Sequence, residues 1–258
     1  MPRSPPFDIL PPRCYNDSDV NNVHRRLNMK KFAAMILALC LTLSCTAAFA
    51  AGKLEVVQEN YVPVEFYSSF MGYLFAEVTN TGDSNVEFND GVVEVLNEAG
   101  DVVEIDNIYS AYPYILAPGE TGYVMNTTYA NDAQSVSDIA DHALTITGKT
   151  SKEDAFTHLD VTAKIESYDS WGTTYYRVTF TITNNTDATV YDAKLVTGVY
   201  DADNKLLYAG TDTLYNVGIP AGTTVEARVD VDSSVSDYWL KNDVIPASVN
   251  SICWFEND

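Results

Sequence analysis

The chain has 258 residues and carries 36 Asp and Glu against 15 Lys and Arg, a formal charge of −21. Apolar residues make up 46% of the sequence and charged residues 20%, a globular rather than a disordered composition. This acidity argues against nucleic-acid phosphates or an anionic membrane surface as the partner. The 17 tyrosines favour strands over helices, because aromatic side chains pack well on half-exposed pleated surfaces.

The first fifty residues have the features of a targeting segment. Two lysines at 30–31 precede the apolar run 32–43, and a small-x-small cleavage pattern follows at 48–50. We predict a signal peptide at 29–50, because the apolar run is too short to span a bilayer and no later segment reaches that length. Residues 1–28 are polar and Pro-rich and do not fit a secretory leader, so we predict an untranslated or disordered extension there.

The cysteines bear on both anchoring and stability. Lipid modification at Cys45 is an alternative to cleavage after Ala50, although Thr42 stands where a lipobox has Leu. In residues 51–258 only Cys253 remains, so an exported chain has no intramolecular disulfide and depends on core burial for its stability. Cys253 lies in an apolar run near the C-terminus, where we expect a buried thiol.

The rest of the chain repeats one pattern. With an offset of 104 positions and no gap, Val-Thr-Asn-Thr-Gly at 78–82 aligns with Ile-Thr-Asn-Asn-Thr at 182–186. The other aligned landmarks are 95–100 with 199–204, 117–121 with 220–224 and 135–138 with 234–237. Each copy has about 100 residues, the usual size of a domain. We therefore predict two tandem domains, at 54–150 and 159–258, joined by a linker at 149–158.

The alternation of side chains predicts the fold class. Apolar and polar residues alternate at 176–183 and 225–232, so each segment has one apolar and one solvated face. Clusters of Asn, Gly, Thr and Asp at 80–83, 97–101 and 184–187 are typical of hairpin turns. The two Ser-Val-Ser-Asp tetrads predict a capped helical turn before the last strand of each copy. We predict an all-β protein of two immunoglobulin-like antiparallel β-sandwiches.

One stretch resembles a known family. Residues 199–206, Val-Tyr-Asp-Ala-Asp-Asn-Lys-Leu, are similar to the hallmark of FxLYD-type immunoglobulin-like domains of secreted bacterial proteins. The segments 181–186 and 219–224 are similar to that family's flanking strand and pre-strand turn. The resemblance covers much of 159–258 and is weaker in the first copy, where 96–97 reads Leu-Asn instead of Tyr-Asp. It implies the fold and a bacterial source, and it carries no catalytic residues.

The residues that could carry chemistry lack suitable partners. The Asp-x-Asp at 201–203 begins like a calcium loop, but Lys205 and Asp212 stand at its fifth and twelfth positions, so we predict a hairpin turn. His142 and His158 have no His or Cys at metal-ligand spacing, and we expect surface histidines. Nucleophile elbows and phosphate-binding loops are absent from the sequence after position 50, so we predict no catalytic, cofactor or metal site.

Tyrosines supply the candidate ligand-binding residues. Tyr109, Tyr112 and Tyr114 lie in one short segment, and aromatic rings beside polar groups often bind carbohydrate or protein surfaces. Further candidates are Tyr129, Trp171, Tyr175, Tyr191 and Tyr208. Tyrosine is also a favoured strand residue, which explains all of these positions without a ligand.

The sequence predicts an exported bacterial protein that acts as a non-catalytic binding or interaction module at or outside the cell surface. Its expected partner is a protein or a glycan, with no nucleic acid and no transmembrane segment. One alternative is a carbohydrate-binding accessory protein that uses the segment 109–114. A second alternative is a glycoside hydrolase built on two carboxylates, because an acidic chain offers many such pairs.

Overall fold

The computed structural model describes residues 52–66, 69–130, 133 and 135–256. The extension predicted at 1–28, the signal peptide at 29–50 and Cys45 lie outside these residues. In the ranges given, no helix has the length and apolar character needed to cross a membrane.

The described chain is all-β with antiparallel sheets, as the sequence predicts. In the first half, which ends at residue 150, the elements are β1 (Leu54–Phe66), β2 (Ser69–Asn80), β3 (Val86–Leu96), β4 (Val102–Ile108), β5 (Ala111–Tyr112), β6 (Ile115–Leu116), β7 (Thr121–Tyr129), a 3₁₀ turn (Val136–Asp138) and β8 (Asp141–Thr150). In the second half they are β9 (Thr157–Ser170), β10 (Thr173–Thr183), β11 (Val190–Tyr191), β12 (Lys194–Tyr200), β13 (Leu206–Thr213), β14 (Gly218–Ile219), β15 (Thr224–Asp230), helix α1 (Ser233–Lys241) and β16 (Ser248–Phe255).

The two halves have the same arrangement of main strands, although short strands such as β5 and β11 differ between them. Strands β1, β2 and β7 pair in the first half as β9, β10 and β15 pair in the second. Strand β3 lies between β4 and β8, just as β12 lies between β13 and β16. A helical element precedes the last strand of each half. The sequence repeat therefore has a counterpart in the strand topology.

The two halves share a hydrophobic core. Val62, Phe75 and Tyr123 of the first half belong to the same buried cluster as the core of the second half. The described residues form one compact unit, so the division into two domains stays a prediction. Strand β8 ends at Thr150 and β9 begins at Thr157, which leaves a connection shorter than the predicted linker.

An asparagine closes the same turn in each half. Asn80 is the last residue of β2, Asn184 directly follows β10, and both are fully buried. The Asn184 side-chain amide donates to the carbonyl oxygens of Ala188 and Ile219, at 2.8 and 2.7 Å. The Asn80 amide makes the corresponding bonds, 2.9 and 2.8 Å long, to the carbonyl oxygens four and 36 residues further along the chain. Asparagine at this position ties the strand end to two other segments, because its amide donates two hydrogen bonds from one buried site.

The Ser-Val-Ser-Asp tetrads lie in helical elements, as predicted. In the first half, Ser135 and Asp138 form a capping box around the 3₁₀ turn. In the second half the tetrad lies inside α1, and Asp232 caps that helix by accepting a hydrogen bond from the amide of Ser234. The sequence predicts that apolar and polar residues alternate along a strand as far as Asp232. Strand β15 instead ends at Asp230, because Asp232 caps the helix that follows.

Candidate functional site

The three predicted tyrosines do not share one exposed surface. Tyr109, between β4 and β5, is 84% exposed. Tyr112 lies in β5, is half-buried and packs against the shared core. Tyr114 is also half-buried, and its ring meets that of Phe156 edge to face with 4.9 Å between centroids. Ligand binding by this segment stays a prediction, and Tyr109 is its one member with a largely exposed ring.

The other aromatic candidates divide between surface and core. Tyr129 and Tyr191 are 54% and 62% exposed, and Trp171 is 100% exposed. The expectation of an exposed face for Tyr208 is wrong, because its ring is buried with its centroid 4.9 Å from that of Phe75. The physical reason is that strands of the first half pack against β13, which removes this position from water.

The histidines have structural neighbours. The ring of His142 stacks on Tyr61 with 5.1 Å between centroids, and its side chain is 14% exposed, so the expected surface position is wrong. His158 lies in β9 rather than in a linker, and its Nε2 is 2.7 Å from Glu120 Oε1. Across the described ranges, no three His, Cys, Asp or Glu side chains gather into a group that could hold a metal ion.

The Asp-x-Asp pattern forms the turn between β12 and β13. The Asp201 carboxylate accepts hydrogen bonds from the backbone amides of Asp203 and Lys205, both at 2.9 Å. Asn204 adopts a left-handed backbone conformation with φ of 62°. The prediction of a hairpin turn is therefore confirmed, because the carboxylate oxygen is occupied by turn amides.

The β9–β10 hairpin places a tryptophan at its tip. The two strands pair over eleven residue pairs and leave Trp171 and Gly172 as a two-residue loop. Both loop residues have positive φ, 54° and 79°, as expected for a tight hairpin turn whose twist matches that of its strands. The other two tryptophans, Trp239 and Trp254, are each 1% exposed. The chain thus buries two of its tryptophans and presents the third to solvent.

Two tyrosines and an arginine lie behind this tip. Tyr168 and Tyr175 are directly opposite each other across the two strands, with 5.8 Å between ring centroids. The guanidinium carbon of Arg177 lies 3.5 Å from the centre of the Tyr168 ring, a cation–π contact. We call Tyr168, Trp171, Tyr175 and Arg177 the hairpin face.

A polar groove continues from the hairpin face across β9, β10 and β15. Its volume is about 320 Å³, and its lining includes Lys164, Glu166, Thr179, Thr181, Glu226 and Arg228. Glu166 is opposite Arg177 in the strand register, which joins the groove to the hairpin face. The Glu166 carboxylate accepts a 3.0 Å hydrogen bond from Thr179 and lies 3.0 Å from Lys164 Nζ. These contacts, that of Lys164 first, lower the pKa of Glu166, so the carboxylate is ionised at neutral pH.

Comparisons with known proteins do not assign this chain to a family. No protein-family model matches the chain, and a search of curated proteins finds no match. Among solved structures, the coconut allergen cocosin matches at 8% identity over 81% of this chain and 86% of its own, with a TM-score of 0.12. Procruciferin, the 11S globulin of Brassica napus, matches at 7% identity over 81% of this chain and 84% of its own, with a TM-score of 0.11. Scores this low carry no argument about fold or function.

Two further pockets lie away from the hairpin face. One, of about 610 Å³, lies between the two halves and is lined by Pro63 and Val136 on one side and by Ser234 and Tyr238 of α1 on the other. It brings together the two helical elements of the repeat. The other, of about 320 Å³, is lined in part by Tyr191 and by residues near the end of β16. The first of these pockets has no largely exposed aromatic ring. The second combines the exposed Tyr191 with charged side chains, but it lacks the opposed tyrosine rings and the cation–π contact of the hairpin face.

The sequence identified only part of this site. Trp171 and Tyr175 were among its candidates, whereas Tyr168, Arg177 and the groove were missed. Alternation along β10 already placed Arg177 on the polar face of its strand. The cross-strand register sets Arg177 opposite Glu166 and beside the Tyr168 ring, and alternation along a single strand does not contain that information.

Proposed function

We propose that this protein is an exported, non-catalytic binding module whose contact surface is the hairpin face. The observation that carries the proposal is the complete exposure of Trp171 at the tip of a paired hairpin. A fully exposed ring makes no buried contact in the fold, and Trp, Tyr and Arg are the residue types most enriched where binding energy concentrates.

The rigidity of the hairpin supports the same proposal. The opposed rings of Tyr168 and Tyr175 and the guanidinium of Arg177 restrain one another on the paired strands. Side chains already fixed in their bound arrangement lose little conformational entropy on binding. This surface is therefore prepared to contact a partner at low entropic cost.

Export is supported by the sequence before position 51. The lysines, apolar run and small-x-small pattern at 29–50 are those of a signal peptide. The FxLYD-type resemblance at Tyr200-Asp201 is consistent with this, because those domains occur in secreted bacterial proteins. The proposed protein is therefore of the FxLYD type. It is either released after cleavage at Ala50 or attached to lipid at Cys45.

Binding is tested with the full chain produced in bacteria with its own N-terminal segment. Fractionation followed by mass measurement of the N-terminus reports export and distinguishes cleavage after Ala50 from lipidation at Cys45. Sedimentation with isolated cell envelopes then compares the wild type with Trp171→Ala. We expect Trp171→Ala to weaken binding about 30-fold, the scale of a 2 kcal/mol hot spot.

The matched control is Tyr215→Ala, which removes another exposed aromatic ring, 74% accessible, at a different place. We expect this variant to bind as the wild type does. Equal envelope binding by the wild type and Trp171→Ala would contradict the proposal, provided that both chains unfold at the same temperature.

A further inference from the structure

We propose that the ligand of the hairpin face is an uncharged polysaccharide chain that lies along the polar groove. This inference rests on the proposed function, since it names the class of ligand for the same surface. It differs from the carbohydrate site predicted at 109–114, which lies in the other half of the chain.

The side chains of the hairpin face and the groove suit a sugar better than a protein. Apart from the small Ala163, the side chains along the groove and the hairpin face are aromatic, hydroxylic or charged. The core of a protein–protein interface is depleted of charged residues, whereas this groove is lined by several. A sugar ring requires flat aromatic surface for its C–H groups together with hydrogen-bonding groups for its hydroxyls, and this face supplies both.

Hydrogen-bond donors and acceptors lie side by side in the groove, an arrangement that suits the hydroxyl groups of a sugar. In the groove, Lys164 and Thr179 both contact Glu166, so donor and acceptor groups lie within about one hydrogen-bond length of each other. Register places Arg228 opposite Thr179 and Glu226 opposite Thr181 on the next strand. Neighbouring hydroxyls of a sugar each donate and accept, and a surface that alternates the two roles can satisfy both.

The distribution of charge on the protein favours an uncharged polysaccharide as the ligand. Residues 51–258 carry 33 Asp and Glu against only 9 Lys and Arg. Along the groove and the hairpin, however, there are three cations and four anions: Lys164, Arg177, Arg228, Glu166, Asp169, Glu226 and Asp230. The face is therefore close to neutral on a strongly acidic protein. An anionic polymer would be repelled by the surrounding protein, and a cationic one would be attracted to other surfaces in preference to this one.

The length of the hairpin face and groove favours a polysaccharide over a single sugar. The backbone advances nine residues from Thr162, near the far end of the groove in β9, to Trp171 at the tip, which is about 30 Å at 3.3 Å per residue. The aromatic rings lie at one end of this path and the polar groups at the other. A polymer can contact both ends at once, whereas a monosaccharide cannot.

The test is affinity electrophoresis of the full chain through gels that contain one soluble polysaccharide each. The neutral set is mixed-linkage β-glucan, arabinoxylan, galactomannan and glycogen, and polygalacturonate and hyaluronate are the anionic set. We expect retardation by at least one neutral polysaccharide and by neither anionic one. Because no net charge attracts an uncharged chain, added salt leaves the dissociation constant unchanged within about twofold.

Two variants separate the ends of the face. We expect Trp171→Ala at the tip and Arg228→Ala in the groove each to raise the dissociation constant at least about tenfold, as the loss of a stacking or hydrogen-bonding group does. Tyr215→Ala and Tyr109→Ala are the controls, and both should bind as the wild type does. Thermal unfolding of every variant confirms that the chains are folded.

The outcomes distinguish the two proposals. If no neutral polysaccharide retards the chain while Trp171→Ala still weakens envelope binding, the partner is a protein and the polysaccharide assignment is overturned, but the binding module stands. If retardation is lost only in Tyr109→Ala, the glycan binds at the other predicted segment and the hairpin site is overturned. If an anionic polysaccharide retards the protein and added salt suppresses that retardation, the assignment of an uncharged ligand is overturned.

Discussion

The hydroxyl oxygens of Tyr123 and Tyr200 lie 2.8 Å apart in the protein interior, although one residue belongs to each half. Tyr200 also donates a 2.8 Å hydrogen bond to the carboxylate of Glu77, which accepts a 3.1 Å bond from Gln58. A connected set of polar groups thus crosses the contact between the two halves. Every hydroxyl in it has a partner, which buried polar groups require.

Alkaline pH is expected to destabilise the protein through these tyrosines. Burial raises the pKa of Tyr123 to about 12 and moves that of Tyr200 upwards as well. A tyrosine whose pKa is raised by folding contributes its full stability below the ordinary value near 10. This stability is lost as pH rises from about 10 towards 12, because the unfolded chain releases its protons first.

The measurement is the free energy of unfolding as a function of pH, for the wild type and Tyr123→Phe. Each buried tyrosine contributes a slope of about 1.4 kcal/mol per pH unit in this window, so the variant should lose stability less steeply. Tyr109→Phe, at an exposed position, should follow the wild-type slope. Parallel curves for the wild type and Tyr123→Phe would contradict the burial of this hydroxyl.

Gly198 is required for the contact between the halves. A Cβ atom at this position would lie 2.5 Å from Cε1 of the Tyr123 ring, closer than carbon atoms can approach. We expect Gly198→Ala to lower the free energy of unfolding by about 1–3 kcal/mol, the cost of overpacking a core. Urea unfolding measures it.

A double-mutant cycle with Tyr123→Leu identifies the cause. The smaller side chain makes room for the added methyl group, so Gly198→Ala should cost less in that background than in the wild type. An equal cost in both backgrounds would show that the alanine disturbs something other than the Tyr123 ring.

Local patterns predicted the elements of this fold better than they predicted its contacts. The alternation at 225–231 gave the faces of β15, and the tetrad at 234–237 gave a helical element, because both depend on neighbours in sequence. The sequence does not reveal the burial of Tyr208, because Phe75, one of the two rings that cover it, comes from the other half. The same limit hid Tyr168 and the groove, since cross-strand register is a property of two strands.

Asn184 is expected to be among the most sensitive polar positions. Its substitution by Ala removes the side-chain donor to the buried carbonyl oxygen of Ile219 and the acceptor of the Thr186 amide, at a cost of about 1–3 kcal/mol. Asn185→Ala is the matched control, since that neighbouring side chain is exposed and should change stability by no more than about 0.5 kcal/mol. Chemical denaturation of both variants checks this, and equal stabilities would contradict the role of the buried amide.

Cys253 is expected to resist thiol reagents in the folded protein. The side chain is 1% exposed, and burial raises the pKa of its thiol to about 12, so little thiolate forms near neutral pH. In a chain cleaved after Ala50, which has no other cysteine, a chromogenic disulfide reagent should react only after unfolding in guanidinium. The exposed variant Thr181→Cys should react at once under native conditions. Rapid labelling of the native wild type would show that β16 opens or that Cys253 is accessible.

Tryptophan fluorescence is expected to separate the hairpin tip from the core. Trp171 is in water, while Trp239 packs against Tyr176 and Tyr208 with ring centroids 5.3 and 6.3 Å away. Trp171→Phe should remove the long-wavelength emission that acrylamide quenches and change the free energy of unfolding by no more than about 0.5 kcal/mol.

The converse variant completes the comparison. Trp239→Phe leaves a cavity among buried rings, so it should retain the quenchable emission and lose about 1–3 kcal/mol of stability. If Trp171→Phe were instead the destabilising variant and left the quenchable emission in place, the tryptophan at the hairpin tip would be packed. The proposed binding surface would then lose its central residue.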